Sequence, residues 1–199
     1  MSVNEEGLHD LLYQTLETEL GGLQIYEAAL ACVCNDDLRG EWEHYLEQTR
    51  RHVQLVEGAL GAFGLDPTTD TSGRKVLRHI GEALAKAIAL AQTEASPEQA
   101  QVVAAECVTL AETKDHLNWE LIGEIANSLS GEPAKVLRAA LKEIEPQEDE
   151  HLYHGAGWAR ELWMEGLGLT AVLPPPEEQK NVKTAIGAAR AKQAREDLT

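Results

Sequence analysis

With 199 residues, 34 acidic against 17 basic side chains and a net charge of −17 at neutral pH, the chain can bury a sizeable core and is too acidic to take nucleic acid or an anionic membrane as partner. Leu, Ala and Glu dominate and aromatics make up only 5%, a helical composition with no long apolar span to act as signal or anchor. Cys32, Cys34 and Cys107 cannot close an even disulfide framework, and they fit a cytoplasmic protein with free thiols.

A first helix is predicted from about Asn4 to Cys34, where Leu8, Leu12, Leu16, Leu20, Leu23, Ala28 and Leu30 recur at helical spacing behind an Asn4 cap. Glu19 lies beside this apolar stripe rather than opposite it. A second helix, from about Asp37 to Phe63, closes on Gly64 and buries Trp42, Tyr45, Leu46, Val53, Val56 and Leu60. His52 shares that buried side, whereas His44 falls on a more polar face, so Glu41 and His44 read as a solvated pair. A polar loop from Pro67 to Gly73 leads into an Ala-rich packing helix over about Arg74 to Thr93, with His79 at its surface.

Ser96-Pro97-Glu98-Gln99 supplies a cap, a proline in the first turn and an acid, which starts a helix running to about Leu129. Its inward side carries Val103, Val108, Ala111, Trp119, Ile122 and Ala126, and it is interrupted within about a turn by Glu112, Asp115 and His116. Ionisable groups so placed are costly to bury without a compensating cation; the alternative is a solvated face around Lys114. The fifth helix is predicted from Ala134 to about Glu165, with Pro146 producing a kink or break near Glu145. Just beyond it, Glu148 and His151 stand three apart and leave the helix on one face, where a carboxylate and an imidazole can hold or bridge metal ions. The same spacing occurs at Glu6/His9 and Glu41/His44, so the pair gains weight only if other helices bring acids and histidines to its depth. Tyr153, His154, Trp158, Leu162 and Trp163 give an aromatic end to the bundle, with the tryptophans read as core. Residues 1–169 form the bundle and 170–199 a Pro-rich linker with an amphipathic helix carrying Lys180, Lys183, Arg190, Lys192 and Arg195. That helix is expected to dock on the acidic body or on a second copy, giving a homodimer.

Glu19, His52, the Glu112/Asp115/His116 cluster and Glu148/His151 come from four long helices, and the arrangement resembles the ferritin-like superfamily, with bacterioferritin and rubrerythrin as its nearest types. The likeness spans roughly Leu8 to Leu167. Glu19-Leu20-Gly-Gly-Leu-Gln-Ile-Tyr26 is similar to the opening bacterioferritin helix, and Arg51-His52 to Gly64-Leu65 to its second. The resemblance implies an all-α, ferritin-like four-helix bundle with one additional helix between the second and third bundle helices. It also implies Glu19 as first-helix ligand, His52 as second-helix histidine, Glu148 as bridging carboxylate and His151 as terminal histidine. Glu112, then His116, ranks for the remaining ligand, with Asp115 matching the family spacing to the fifth helix on a shorter side chain.

Thr49 departs from the family, because it stands where the second-helix glutamate belongs. A shifted register would put His52 at the glutamate and Leu55 at the histidine. Glu47 or Asp115 could fill the gap, a single metal could bind, or metal could be lost. The implied cofactor is Fe or Mn, one or two ions, with Zn compatible, in a non-haem oxidase or peroxidase-like protein of stress protection. No Cys-x-x-Cys pair offers a rubredoxin iron site, so turnover implies an external reductant. The competing reading is a metal-free bundle acting as a structural or oligomerisation module.

Overall fold

The computed structural model describes residues 3–176, 193 and 197. Among the described residues it is all-helical, with α1 Glu5–Leu30, α2 Asp36–Ala62, α3 Ser72–Glu94, α4 Pro97–Ala126 and α5 Gly131–Gly166. Apart from residues 193 and 197, the C-terminal helix expected from Glu177 onward lies outside the described residues, as does the oligomer contact assigned to it. No described helix is long and apolar enough to cross a membrane.

Local chemistry sets the helix boundaries. Asn4, Asn35 and Thr71 each accept a hydrogen bond from the backbone N–H three residues on, and Ser96 forms a reciprocal capping box with Gln99. α2 and α5 stop alike: Gly64 and Gly168 both take φ of +71°, and the N–H groups of Leu65 and Leu169 reach back to the carbonyls of Leu60 and Met164. α1 ends at Leu30, earlier than its periodicity suggests, leaving Cys32 buried and Cys34 exposed beyond it. Of the kink or break expected near Glu145, the break does not occur: α5 runs continuously through Pro146. The proline and Lys142, whose carbonyl loses its donor, are both on the exposed side, where water can satisfy that oxygen.

The packing order is a ring, α1 against α2, α2 against α5, α5 against α4 and α4 against α1, with α3 lying over α1 and α4. Two apolar clusters divide its length. One gathers Ile25, Tyr26, Trp42, Tyr45, Ala104, Val108, Trp158 and Leu162; the other gathers Leu12, Leu16, Val56, Leu60, Trp119, Ile122, Leu137 and Ile144. Every ring helix therefore passes from one cluster to the other, and what separates them is Glu19 in α1, Thr49 and His52 in α2, Glu112 and Asp115 in α4, and Glu148 and His151 in α5. The direction of passage makes α1 antiparallel to α2 and α4 antiparallel to α5. α2 and α4 run the same way, which requires the crossover that α3 fills.

α3 is held by a close approach of Gly81 to Gly21, where a Cβ added to Gly81 would lie 3.2 Å from the Gly21 Cα, and by buried Glu17, which accepts from Arg74 at 2.7 Å and Arg78 at 2.8 Å. Its expected apolar residues Val76, Ile80 and Leu90 face outward. Beyond α5 the chain folds back: Val172 N–H donates to buried Glu161, and Leu173 packs on the first cluster.

Candidate metal centre

The polar layer between the two apolar clusters lies almost entirely out of solvent. Glu19, His52 and His151 are completely buried, Glu148 is 1% exposed, Glu112 4% and Asp115 5%. His52 Nδ1 lies 3.1 Å from Glu148 Oε1 and 3.4 Å from Glu19 Oε2; His151 Nδ1 lies 3.4 Å from the same Glu148 oxygen and 3.5 Å from Glu112 Oε2. The two rings stack at 5.7 Å. Glu148 is thus common to two triads, Glu19/His52/Glu148 and Glu112/Glu148/His151, each with its ligand atoms within 4.8 Å of one another.

Close as they are, these groups do not satisfy each other. Glu19 Oε2, His52 Nδ1, Glu112 Oε2, Asp115 Oδ1, Glu148 Oε2 and His151 Nδ1 are all buried without a hydrogen-bond partner. The outer imidazole nitrogens, in contrast, are held: His52 Nε2 lies 2.8 Å from the Gln147 side-chain oxygen and His151 Nε2 lies 2.9 Å from that of Gln48. An amide oxygen only accepts, so Nε2 carries the proton on each ring and Nδ1 is left to face the carboxylates, the tautomer a metal ligand needs. The Trp119 indole N–H fixes Glu19 by donating to its other oxygen at 3.1 Å.

Without a metal the layer holds its protons in an unusual distribution. Burial alone would lower the histidines, but Glu19 and Glu148 outweigh it at His52, pushing it up to about 11, and Glu112 and Glu148 do the same at His151, to about 9. Burial opposes ionisation of Glu148, yet the two imidazoles bring it down to about 2. Glu19 and Glu112 are raised, chiefly by burial. Asp115 is raised well above the usual carboxylate range by burial and then by the charges of Glu19, Glu148 and Glu112. The layer thus contains four carboxylates and two imidazoles. With all four acids ionised and both rings neutral, two divalent cations balance the charge.

Of the residues singled out in the sequence, Glu19, His52, Glu112, Glu148 and His151 come together, and Asp115 is buried beside them. His116 stands apart: its Nε2 lies 3.0 Å from Asp149 and its Nδ1 3.9 Å from Glu120. It lines a pocket of about 140 Å³ with Trp119, Glu120, Glu145, Asp149 and Tyr153, in which Glu148 is the most deeply buried acid. Thr49 is buried and donates to the Tyr45 carbonyl at 2.9 Å, while Glu47 is exposed and paired with Arg50, so Glu47 adds no carboxylate to the layer.

The sequence reading missed a second polar group one turn above. Glu41 is not part of a solvated pair: it accepts from the Trp158 indole at 3.0 Å, from the Tyr45 hydroxyl, and lies 2.9 Å from His154 Nδ1, while His44 is exposed. The available signal was the spacing, since Glu41 and Tyr45 are four apart and Tyr45 was already assigned to the core. Trp163, expected in the core, is 48% exposed. No family model, curated protein or solved structure matches the chain.

Proposed function

We propose that this chain is a ferritin-like metalloprotein holding two divalent ions of the iron or manganese class, with oxidase or peroxidase-like activity. The observation that carries the reading is the set of six unpartnered ligand atoms, from all four ring helices, enclosed between two apolar clusters. Glu19 and His52 would hold one ion and Glu112 and His151 the other, with Glu148 common to both triads. Asp115 supplies the fourth carboxylate from α4, on a layer where α2 offers only the hydroxyl of Thr49. Oxygen-rich ligation with one imidazole per ion suits Fe, Mn or Zn. Bound iron or manganese would supply one-electron redox steps and open positions for dioxygen or peroxide.

The chain's own groups prepare that site in three ways. Gln48 and Gln147 fix the imidazole tautomers, Trp119 orients Glu19, and both apolar clusters keep bulk water away. The small acidic pocket beside Glu148 favours entry of a cation or a small oxidant over a bulky organic substrate. The substitution of the family's glutamate by Thr49 is the one feature favouring a metal-free bundle that serves as a structural module.

Metal analysis after reconstitution with Fe(II), Mn(II) or Zn(II) separates the two. The expected result is two equivalents in the wild type, one in His52→Ala and none in Glu148→Ala. A wild-type chain that takes up none of the three metals overturns the proposal.

A further inference from the structure

The pair Cys32-Val33-Cys34 takes no part in the layer of acids and imidazoles, and its geometry depends on where α1 stops. On a continuing helix the two side chains would leave about 200° apart, and their sulfurs could not meet. α1 instead ends at Leu30, and residues 31–35 lead through a turn into α2. There the Cys34 sulfur folds back to 3.7 Å from the carbonyl oxygen of Cys32. Residues two apart in a bent chain fall within the Cα separation of about 4.4 to 6.8 Å that a disulfide spans.

The two thiols stand on unequal terms. Cys32 is buried, its sulfur donating to the Ala28 and Ala29 carbonyls at 3.5 Å, and burial, then the nearness of Cys34, pushes its thiol up. Cys34 is exposed. The backbone that presents it is clamped by two side chains. Buried Gln101 of α4 accepts from the Cys34 and Asn35 N–H groups at 2.6 and 2.7 Å, and the Arg39 guanidinium donates to the Leu30 and Val33 carbonyls at 3.2 and 2.6 Å. A fixed positive charge therefore rests on the peptide group joining Val33 to Cys34. An accessible sulfur beside a guanidinium, with a second thiol sheltered next to it, is the setting in which an oxidant attacks one sulfur and the neighbour resolves it. Cys107, buried in the same apolar cluster as Cys32, is the internal comparison.

We propose that Cys34 and Cys32 form a dithiol that reduces small hydroperoxides, with Cys34 the sulfur that attacks and Cys32 the one that closes the disulfide. With hydrogen peroxide, the Cys34 sulfur takes one oxygen and the O–O bond breaks. That oxygen stays as the sulfenic acid, and the other leaves as water with the Cys34 thiol proton. The Cys32 sulfur then attacks that of Cys34, the S–O bond breaks, and the hydroxyl leaves with the Cys32 proton as a second water. Two thiols have given two electrons and two protons, and one peroxide has become two waters. A dithiol from solution, itself oxidised to a disulfide, restores the pair by exchange. No metal and no residue of the layer takes part, so this chemistry stands or falls separately from the proposed metal centre.

The test is mass spectrometry of full-length protein, reduced, kept in a chelator, given one equivalent of hydrogen peroxide, alkylated and cut with trypsin without reduction. Cys32 and Cys34 fall on one peptide, ending at Arg39, and Cys107 on another, Ala87–Lys114. The expected product is the first peptide two hydrogens lighter and unalkylated, with Cys107 fully alkylated. Cys107→Ser should oxidise as the wild type does. Cys32→Ser should stop at a Cys34 sulfenic acid trapped by dimedone, and Cys34→Ser should leave both remaining thiols free, with circular dichroism checking the fold of each. Peptides joined through Cys107, a disulfide between two chains, or a peroxide-treated wild type with all three thiols alkylated overturns the proposal.

Discussion

Two places in this chain bury carboxylates, and they do so on opposite terms. Glu17 brings its own counter-charge: both oxygens are engaged by the guanidinium groups of Arg74 and Arg78 at 2.7 to 3.0 Å, and neither oxygen is left unpartnered. Among the described residues no lysine or arginine is bonded to the layer of Glu19, Glu112, Asp115 and Glu148, which leaves six ligand atoms unpartnered. A protein that can close a buried charge with arginine on α3 has left it open a few residues further along α1. The difference marks the Glu17 cluster as a fastening and leaves the layer as one that could hold a cation supplied from outside.

Exchanging the contents of the two regions should give contrasting results, the largest at the layer. Glu148→Ala, which removes the carboxylate common to both triads, should abolish binding of both metal equivalents, read by elemental analysis, whereas Glu17→Ala should leave stoichiometry unchanged. Chelation comes next: stripping a metal present at a thousandfold excess over its dissociation constant should remove about 4 kcal/mol of stability, seen as a fall in Tm that Glu148→Ala no longer shows. Glu17→Ala leaves Arg74 buried without its carboxylate and should cost about 3 kcal/mol in urea unfolding, metal bound or not.

The pH response of the metal-free chain gives a smaller effect with a definite sign. His52 and His151 sit above the ordinary imidazole value of 6.5, at about 11 and about 9, so their contribution is complete below about pH 6.5 and is lost as pH rises through 9 and then 11. The acids Glu19, Glu112 and Asp115, also raised, lose stability in the same direction. Tm of metal-free protein should therefore fall between pH 7 and pH 9 when followed by calorimetry. Metal affinity should climb over the same range, because binding must displace the imidazole protons. Glu148, held at about 2, works on the acid side: its contribution is present above about pH 4.5 and disappears as pH falls toward 2. The smallest change should come from Trp119→Phe, which deletes the hydrogen bond to Glu19 and should cost about 1 kcal/mol and weaken the Glu19/His52 ion more than its neighbour.

Much of this was legible in the sequence because one pattern repeats. In each of the four ring helices an apolar stripe is interrupted near mid-length, at Glu19, at His52, at Glu112 to Asp115 and at Glu148 to His151, and a stripe that resumes beyond such a residue favours placing that residue inside. Caps and closing glycines set the helix ends to within a few residues for the same local reasons the structure displays. Side-chain partnership across helices was less legible. Glu41 looked solvated because His44, three residues on, is exposed, but the acid turns to the Tyr45 side of the helix. His116 was grouped with Glu112 and Asp115 by proximity in sequence, although one residue of helix rotates it about 100° away, toward Asp149. The Glu17 fastening could not be read at all, since nothing local links α1 to two arginines 57 and 61 residues later.

The central claim is that two cations belong on either side of Glu148. Crystals of metal-reconstituted protein, measured for anomalous scattering at the absorption edge of the added metal, test it most directly. The account predicts two peaks about 4 Å apart, one between Glu19 and His52 and one between Glu112 and His151, with Glu148 reaching both. A map of the reconstituted protein with no anomalous density in this layer would contradict it.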